Sequence, residues 1–177
     1  MKRDRVVLKL TFIALYSALF IVLDYAAHTF GLFQMPNGGS LGLGSLAILV
    51  AAYHLGWKEG VAVGLISIPL QIISSGAIWL PPTWPLVGLL LDYVIPFGIY
   101  GLAPLFKDIK GIKTGVVVTN LIRFVSHLIV GALLWGVTWW GSFVYNAWYM
   151  APTLILDVAL LQLVLARLPQ KYLVRKG

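Results

Sequence analysis

The chain has 177 residues, of which 60% are hydrophobic and only 11% are charged, and its formal net charge is +7. This composition is typical of an integral membrane protein, and since about 20 apolar residues make one transmembrane helix, there is room for roughly six. Cysteine is absent, which excludes disulfides, thiolate metal sites and cysteine nucleophiles. We therefore expect an all-α integral membrane protein, a six-transmembrane-helix bundle that forms a single membrane-embedded domain over residues 1–177.

Breaks in hydrophobicity divide the chain into six apolar segments, at 6–28, 42–56, 60–75, 85–106, 114–138 and 144–168. Glycine, proline or charged residues mark the connections between them, at 36–40, 57–60, 81–85, 107–113 and 139–142. The second and third segments are short, and Pro69 interrupts the third. The first follows a basic start like a signal peptide, but it is too long for one and lacks a small-residue cleavage site, so we expect a retained helix.

Lysine and arginine indicate the orientation, because they accumulate on the cytoplasmic side of membrane proteins. Twelve of the 13 lie in the termini or in the second and fourth connections: Lys2, Arg3, Arg5, Lys9, Lys58, Lys107, Lys110, Lys113, Arg167, Lys171, Arg175 and Lys176. Both termini are therefore predicted to be cytoplasmic. The positive charge reflects this topology, and we expect the lipid bilayer rather than nucleic acid as the surrounding partner.

Five ionisable side chains lie inside otherwise apolar segments: Asp24, Asp92, Arg123, His127 and Asp157. A charge in hydrocarbon costs roughly 2.5–3.5 kcal/mol on insertion scales, so such residues normally face a bundle interior or a water-filled pocket. On the fifth segment Arg123 and His127 share one helix face, and the helical period places Trp135 near that face. On the sixth segment Asn146 and Asp157 share a face, with Tyr149 beside them. A pocket of carboxylate, imidazole, amide and aromatic groups suits a small, flat, cationic ligand, because aromatic faces attract cations.

Structural roles compete with binding roles for several of these residues. A buried charge needs a partner, so we predict that Arg123 and Asp157 form a structural ion pair, with Asp92 as the other possible partner of Arg123. Asp24 and His28 are interpreted as residues of the membrane boundary. The other tryptophans and tyrosines fit an interfacial belt as well as a ligand cage.

Parts of the sequence are compatible with two other classes of protein. Ser126, His127 and Asp157 suggest a hydrolase triad, but adjacent helical residues point about 100° apart, and no metal-ligand motif such as H-E-x-x-H is present. We therefore expect no enzyme, no cofactor and no metal site. A self-sufficient, proton-coupled secondary transporter stays an alternative, although no convincing inverted repeat is found.

Four fragments, taken in order, carry a resemblance: Phe33-Gln34-Met35-Pro36-Asn37-Gly38-Gly39-Ser40, Leu91-Asp92-Tyr93, Arg123-Phe124 with His127 and Gly131, and Tyr145-Asn146 with Pro152. In order and spacing they resemble the thiamine-specific S-component of energy-coupling factor (ECF) vitamin transporters, over nearly the whole chain. The resemblance implies a high-affinity substrate-binding subunit in the cell membrane of a prokaryote, which takes thiamine from outside. It also implies a transmembrane coupling protein and two ATPase subunits as partners.

By this resemblance Asp92 binds the aminopyrimidine of the ligand, and Trp135 stacks on it. Tyr93, His127 and Asn146 complete the implied pocket. Two further ligand-binding candidates are Tyr149 and Gln34.

The chain departs from the family pattern at three places. Asp92 stands where the family usually has glutamate, and Gly141 stands where it usually has an aromatic residue, for which the tryptophans at 139–140 are possible substitutes. A tryptophan in the first outer loop is missing, with Phe30 and Phe33 as the nearest candidates. A related pyrimidine or thiazole compound is therefore the alternative ligand.

A pair of small residues on the first helix, Ala14 and Ala18, has the spacing that permits close helix contact. Packing within the bundle is one interpretation; the resemblance favours docking of the coupling protein. Gly60 and Gly64 have the same spacing. No G-x-x-x-x-G-K-[ST] phosphate loop is present, so an ATP-driven step needs another protein.

Overall fold

The structure, a computed structural model, describes residues 2–75 and 79–168, with side chains described from residue 6 onward. Six helices form over these ranges: α1 Lys2–Thr29, α2 Leu43–Leu55, α3 Trp57–Ser75, α4 Pro85–Gly101, α5 Thr114–Leu134 and α6 Trp139–Arg167. Within the described residues no strand is present beyond an isolated bridge between Ile109 and Ile112. The all-α prediction is confirmed. Three of the basic residues that indicated the orientation, Lys171, Arg175 and Lys176, lie outside the described residues.

The six helices differ in length and hydropathy. By length and composition, three can cross a membrane: residues Val6–Thr29 of α1, the whole of α5 and the whole of α6. Helices α2 and α4 are apolar but shorter, and α3 belongs to neither group. The prediction of six helices holds, while over the residues that the structure describes only three reach the length and hydropathy of a full span. Residues 47–54 of α2 are all buried, because α2 packs against α1, α3, α4 and α6.

One predicted connection is wrong. Residues 139–142 were expected to join the fifth and sixth segments, but they form the first turn of α6. Thr138 caps this helix, since its hydroxyl oxygen accepts a hydrogen bond from the Gly141 amide at 3.1 Å. The predicted end of the fourth segment, near residue 106, is also wrong, because α4 ends at Gly101.

Glycine lets α3 approach its neighbours closely. A β-carbon added at Gly64 would lie 2.2 Å from the carbonyl oxygen of Phe97 in α4, and one at Gly60 would lie 2.5 Å from the β-carbon of Ala52 in α2. Neither site has room for a side chain, so the helix backbones touch there. The tight packing expected of Gly60 and Gly64 is thus present within the bundle.

Two helices contain a single π-helical turn, Leu90–Val94 in α4 and Val130–Leu134 in α5. In a π-turn the backbone bond reaches five residues back, as from the Trp135 amide to the Val130 carbonyl at 3.1 Å. Such turns insert a residue into an α-helix and occur frequently at functional sites. The first contains Asp92, and the second immediately precedes Trp135, so both turns set the direction of a candidate ligand-binding side chain.

Candidate functional site

A cavity of about 420 Å³ lies among α1, α3, α4, α5, α6 and the loops that join them. This volume is in the range of small-molecule sites. All seven predicted ligand-binding residues line it: Gln34, Asp92, Tyr93, His127, Trp135, Asn146 and Tyr149. The structure therefore brings together, in one hollow, side chains from four separate parts of the sequence.

Three side chains on one wall form a chain of hydrogen bonds. The Nε of Arg123 donates to Nε2 of His127 at 3.3 Å, and Nδ1 of His127 lies 2.6 Å from Oδ1 of Asp92. Since a guanidinium can only donate, Nε2 must accept, and the single proton of the neutral imidazole then lies on Nδ1 and is donated to the carboxylate. The Oδ2 of Asp92 accepts no hydrogen bond from a described residue, which leaves it for a ligand.

The aromatic rings of the cavity and its carboxylate favour a cationic ligand. Among the described residues that line it, Asp92 is the one acidic side chain; Arg123 also belongs to the lining, but its guanidinium donates to His127 and to Tyr100. Six aromatic rings surround the cavity, those of Trp79, Tyr93, Phe97, Trp135, Tyr145 and Tyr149. A cation in such a cavity gains from the carboxylate and from the faces of the rings.

The amide of Asn146 is held in place by neighbours on α6. Its Nδ2 donates to the carbonyl of Ser142 at 2.9 Å, and its Oδ1 accepts from the hydroxyl of Tyr149 at 2.8 Å. Gly131 allows α5 to approach this point, because a β-carbon there would lie 2.2 Å from Oγ of Ser142. Asn146 and Tyr149 thus act as one positioned polar unit.

Two tyrosines fasten the loops that bound the cavity. The hydroxyl of Tyr145 donates to the Gly38 carbonyl at 2.8 Å and accepts from the Asn37 amide at 3.1 Å. In the same way, the hydroxyl of Tyr93 accepts from the amide of Trp79 and donates to its carbonyl. The two loops meet at Gly38, which has a φ of +86° and packs against the Trp79 ring. A β-carbon added at Gly38 would lie only 2.7 Å from that ring, so the contact requires glycine.

Trp79 belongs to the cavity lining and was not predicted from the sequence. It lies in the third connection, far from the recognised fragments, and no spacing rule links a loop residue to a cavity. The candidates for the missing aromatic residues, Phe30, Phe33, Trp139 and Trp140, are not among the described residues that line the cavity. Instead, Trp140 stacks on Phe143, and Phe33 packs against Trp148.

The predicted ion pair between Arg123 and Asp157 is not formed as a direct contact among the described residues. The Nη1 of Arg123 donates to the hydroxyl of Tyr100 at 3.1 Å, and that hydroxyl donates to Oδ1 of Asn120 at 2.8 Å. The Nδ2 of Asn120 then donates to Asp157 at 3.1 Å. Two neutral side chains, those of Asn120 and of the fully buried Tyr100, therefore stand between Arg123 and Asp157 in this chain of hydrogen bonds.

Contacts define the surroundings of three further residues that the sequence singled out. Ser126 donates to the carbonyl of Leu91 at 2.5 Å. Asp24 is buried within the bundle, with only 4% of its surface exposed, and it accepts a hydrogen bond from Ser74. His28 lines the cavity.

The fold and cavity define a helical membrane protein with a partly open site for a small ligand. A model of the thiamine transporter protein family (Thia_YuaJ) matches residues 10–173, and the chain belongs to this family. It is 28% identical, over 191 aligned positions and 96% of both chains, to the thiamine transporter ThiT of Bacillus subtilis (strain 168). The solved structure of ThiT from Listeria monocytogenes shares the fold, with a TM-score of 0.72 at 17% identity, over 95% of this chain and 98% of that one. The family resemblance read from the sequence is confirmed.

Proposed function

We propose that the chain is the high-affinity substrate-binding subunit of an ECF-type vitamin importer and that it binds thiamine from the extracellular side. Membership of the thiamine transporter family supports this assignment. The observation that carries it is the Asp92 carboxylate, oriented by His127 within a cavity of six aromatic rings. Thiamine is a cation of two flat rings joined by a methylene group, with an exocyclic amine on one ring. This site offers both an acceptor for the amine and faces for the rings.

In the proposed complex Asp92 accepts from the aminopyrimidine through its free oxygen, and the ring of Trp135 stacks on the ligand. Tyr93, His127 and Asn146 complete the polar wall, while Tyr149 and Gln34 contact the ligand from α6 and from the first loop. A desolvated contact between a cation and an aromatic face is worth about 2 kcal/mol. Several such faces, together with one carboxylate, account for tight binding of a small molecule.

The proposed orientation places both termini in the cytoplasm of a prokaryotic cell, with the chain passing several times through the plasma membrane. Its support is the distribution of lysine and arginine, which are absent from the loops that close the cavity, at 30–42 and 79–84. The cavity then lies toward the outside.

Ala14 and Ala18 are the proposed docking site for the transmembrane coupling protein. Both are exposed on α1, so they are not used for packing within this bundle. A flat surface of small side chains lets another helix approach closely. Two ATPase subunits complete the proposed importer, because this sequence has no phosphate loop of its own.

Fluorescence titration of the purified chain tests the assignment. Thiamine should quench tryptophan fluorescence with sub-micromolar affinity, while pyrimidine and thiazole analogues bind more weakly and unrelated vitamins do not bind. In liposomes the chain alone should be inert. Thiamine uptake driven by a pH gradient without partners would instead indicate a self-sufficient secondary transporter.

A further inference from the structure

The connection between α4 and α5 contains a tight hairpin. The amide of Ile109 donates to the carbonyl of Ile112 at 3.2 Å, and the amide of Ile112 donates to the carbonyl of Ile109 at 2.9 Å. Between them, Lys110 and Gly111 have φ values of +50° and +81°. Positive φ at both central residues is the geometry of a type I′ turn, which is favoured in two-residue hairpins. Residues 105–113 are named the lysine hairpin, after their three lysines.

The lysine hairpin exposes apolar side chains. Ile109 and Ile112 lie directly opposite each other in an antiparallel pair, so their side chains are on the same face. Their exposed fractions are 59% and 46%, and that of Leu105, at the start of the hairpin, is 61%. Exposed apolar side chains that are grouped on one face mark a contact with a protein or with a membrane.

The positive charge of the hairpin belongs to two of its lysines. Asp108 is its one acidic residue, and its Oδ2 lies 2.7 Å from Nζ of Lys113. The same ammonium group lies 5.5 Å from the centre of the Tyr53 ring. Lys113 is therefore used within the protein, whereas Lys107 and Lys110 are exposed beside the isoleucine pair.

Hydrogen bonds hold the base of the hairpin against the bundle. The hydroxyl of Thr114 donates to the carbonyl of Lys107, and the hydroxyl of Tyr53, near the end of α2, donates to the carbonyl of Ala103 at 3.3 Å. The isoleucine pair is thus presented in a defined position where α4 and α5 leave the membrane. A surface that is ordered in advance loses little entropy on contact with a partner.

The combination of exposed apolar and basic side chains favours a lipid partner. Apolar groups beside lysine are typical of segments that lie in the membrane interface. Lysine places its apolar stem along such a surface and keeps its ammonium group among the headgroups. In the proposed orientation this connection is cytoplasmic, and the cytoplasmic leaflet carries anionic lipids that attract lysines near the membrane.

We propose that the lysine hairpin binds anionic phospholipids of the cytoplasmic leaflet. Ile109 and Ile112 enter the boundary between headgroups and acyl chains, and Lys107 and Lys110 contact the lipid phosphates. No residue of the hairpin is among the described residues that line the ligand cavity. The surface is therefore additional to the proposed thiamine site.

The test uses the full chain in lipid nanodiscs. Since the chain has no cysteine, Ile112→Cys gives a single attachment point for an NBD fluorophore on the hairpin. A nitroxide on an acyl chain quenches a fluorophore that it contacts, so titration with nitroxide-labelled phosphatidylglycerol and phosphatidylcholine gives the relative association constant of the two lipids. Phosphatidylglycerol should be preferred at least about fivefold, the effect of one lysine near an anionic surface.

Charge variants of the labelled protein test the two lysines. Lys107→Gln combined with Lys110→Gln should remove the preference, so that the two lipids associate equally. Lys58→Gln combined with Arg167→Gln is the matched control, because it removes two exposed charges outside the hairpin and should retain the preference. Thermal unfolding verifies each protein, and Lys110→Gln alone should lower the preference should the first pair fail to fold.

Three results would overturn the proposal. Absence of quenching by either lipid would show that the hairpin lies in water, which leaves its apolar pair as a surface for a protein. Equal association of the two lipids with the labelled protein, or a preference unchanged in the lysine variants, would show that these lysines do not recognise anionic headgroups. Nanodiscs carry the same lipids on both faces, so these results depend neither on the orientation nor on thiamine binding.

Discussion

His127 and Asp92 are in direct hydrogen-bond contact across two helices, with Nδ1 of the imidazole 2.6 Å from Oδ1 of the carboxylate. On its other side the imidazole accepts from Arg123. The carboxylate is therefore fixed in position before any ligand arrives. A preorganised acceptor avoids the entropy cost of ordering a side chain on binding.

Trp135→Ala should weaken thiamine binding at least tenfold, which corresponds to about 1.4 kcal/mol. The substitution removes the ring proposed to stack on the ligand. Trp140→Ala is the matched control, because that ring is 73% exposed and lies outside the cavity lining. Titration of both variants decides the point: equal affinities would show that Trp135 does not contact the ligand.

Tyr145→Phe should accelerate thiamine dissociation several-fold, because it removes both hydrogen bonds that fasten the loop at Asn37 and Gly38. A less firmly held loop opens more often. Tyr25→Phe, at an exposed position on α1, should leave the rate unchanged. Stopped-flow displacement measures both rates, and an unaltered rate in Tyr145→Phe would show that these bonds do not retain the ligand.

Asp157→Leu should lower thermal stability while changing thiamine affinity less than twofold. Asp157 accepts hydrogen bonds from Ser45 and Asn120 and is not among the described residues that line the cavity. A leucine there has a similar size but accepts no hydrogen bond, and a buried donor such as Nδ2 of Asn120 that loses its partner costs about 1–3 kcal/mol. Thermal unfolding and titration of the same sample give both quantities; a large loss of affinity at unchanged stability would contradict this structural role.

Ala14→Trp combined with Ala18→Trp should abolish thiamine uptake by the assembled importer while leaving thiamine binding intact. Two indole rings would keep the coupling protein away from α1. Leu163→Trp places the same bulk at another exposed site, on α6, and should preserve uptake. Uptake by the double variant at the normal rate would exclude docking at this pair.

The sequence predicted those parts of the site that break the apolar pattern. Asp92 and His127 are conspicuous in hydrophobic segments, and helical spacing grouped Asn146 with Tyr149. The π-turns at Leu90–Val94 and Val130–Leu134 were not predicted, because they leave no signature in composition or spacing.

Contacts between distant parts of the chain were the least predictable. Tyr100 of α4 and Asn120 stand between Arg123 of α5 and Asp157 of α6 in a chain of hydrogen bonds. The spacing of residues along α5 and α6 could not predict that a side chain from a third helix takes part. Trp79 gave no signal either, since a tryptophan in an outer loop is ordinary in a membrane protein.

The most direct measurement is thiamine affinity in Asp92→Asn, because this substitution removes the charge and keeps the size of the side chain. We expect at least tenfold weaker binding, about 1.4 kcal/mol. Asp108→Asn, in the connection after α4 where Asp108 pairs with Lys113, should bind as the unmodified protein does. Thiamine affinity that is the same in both variants would contradict the assignment of Asp92 as the ligand's carboxylate partner.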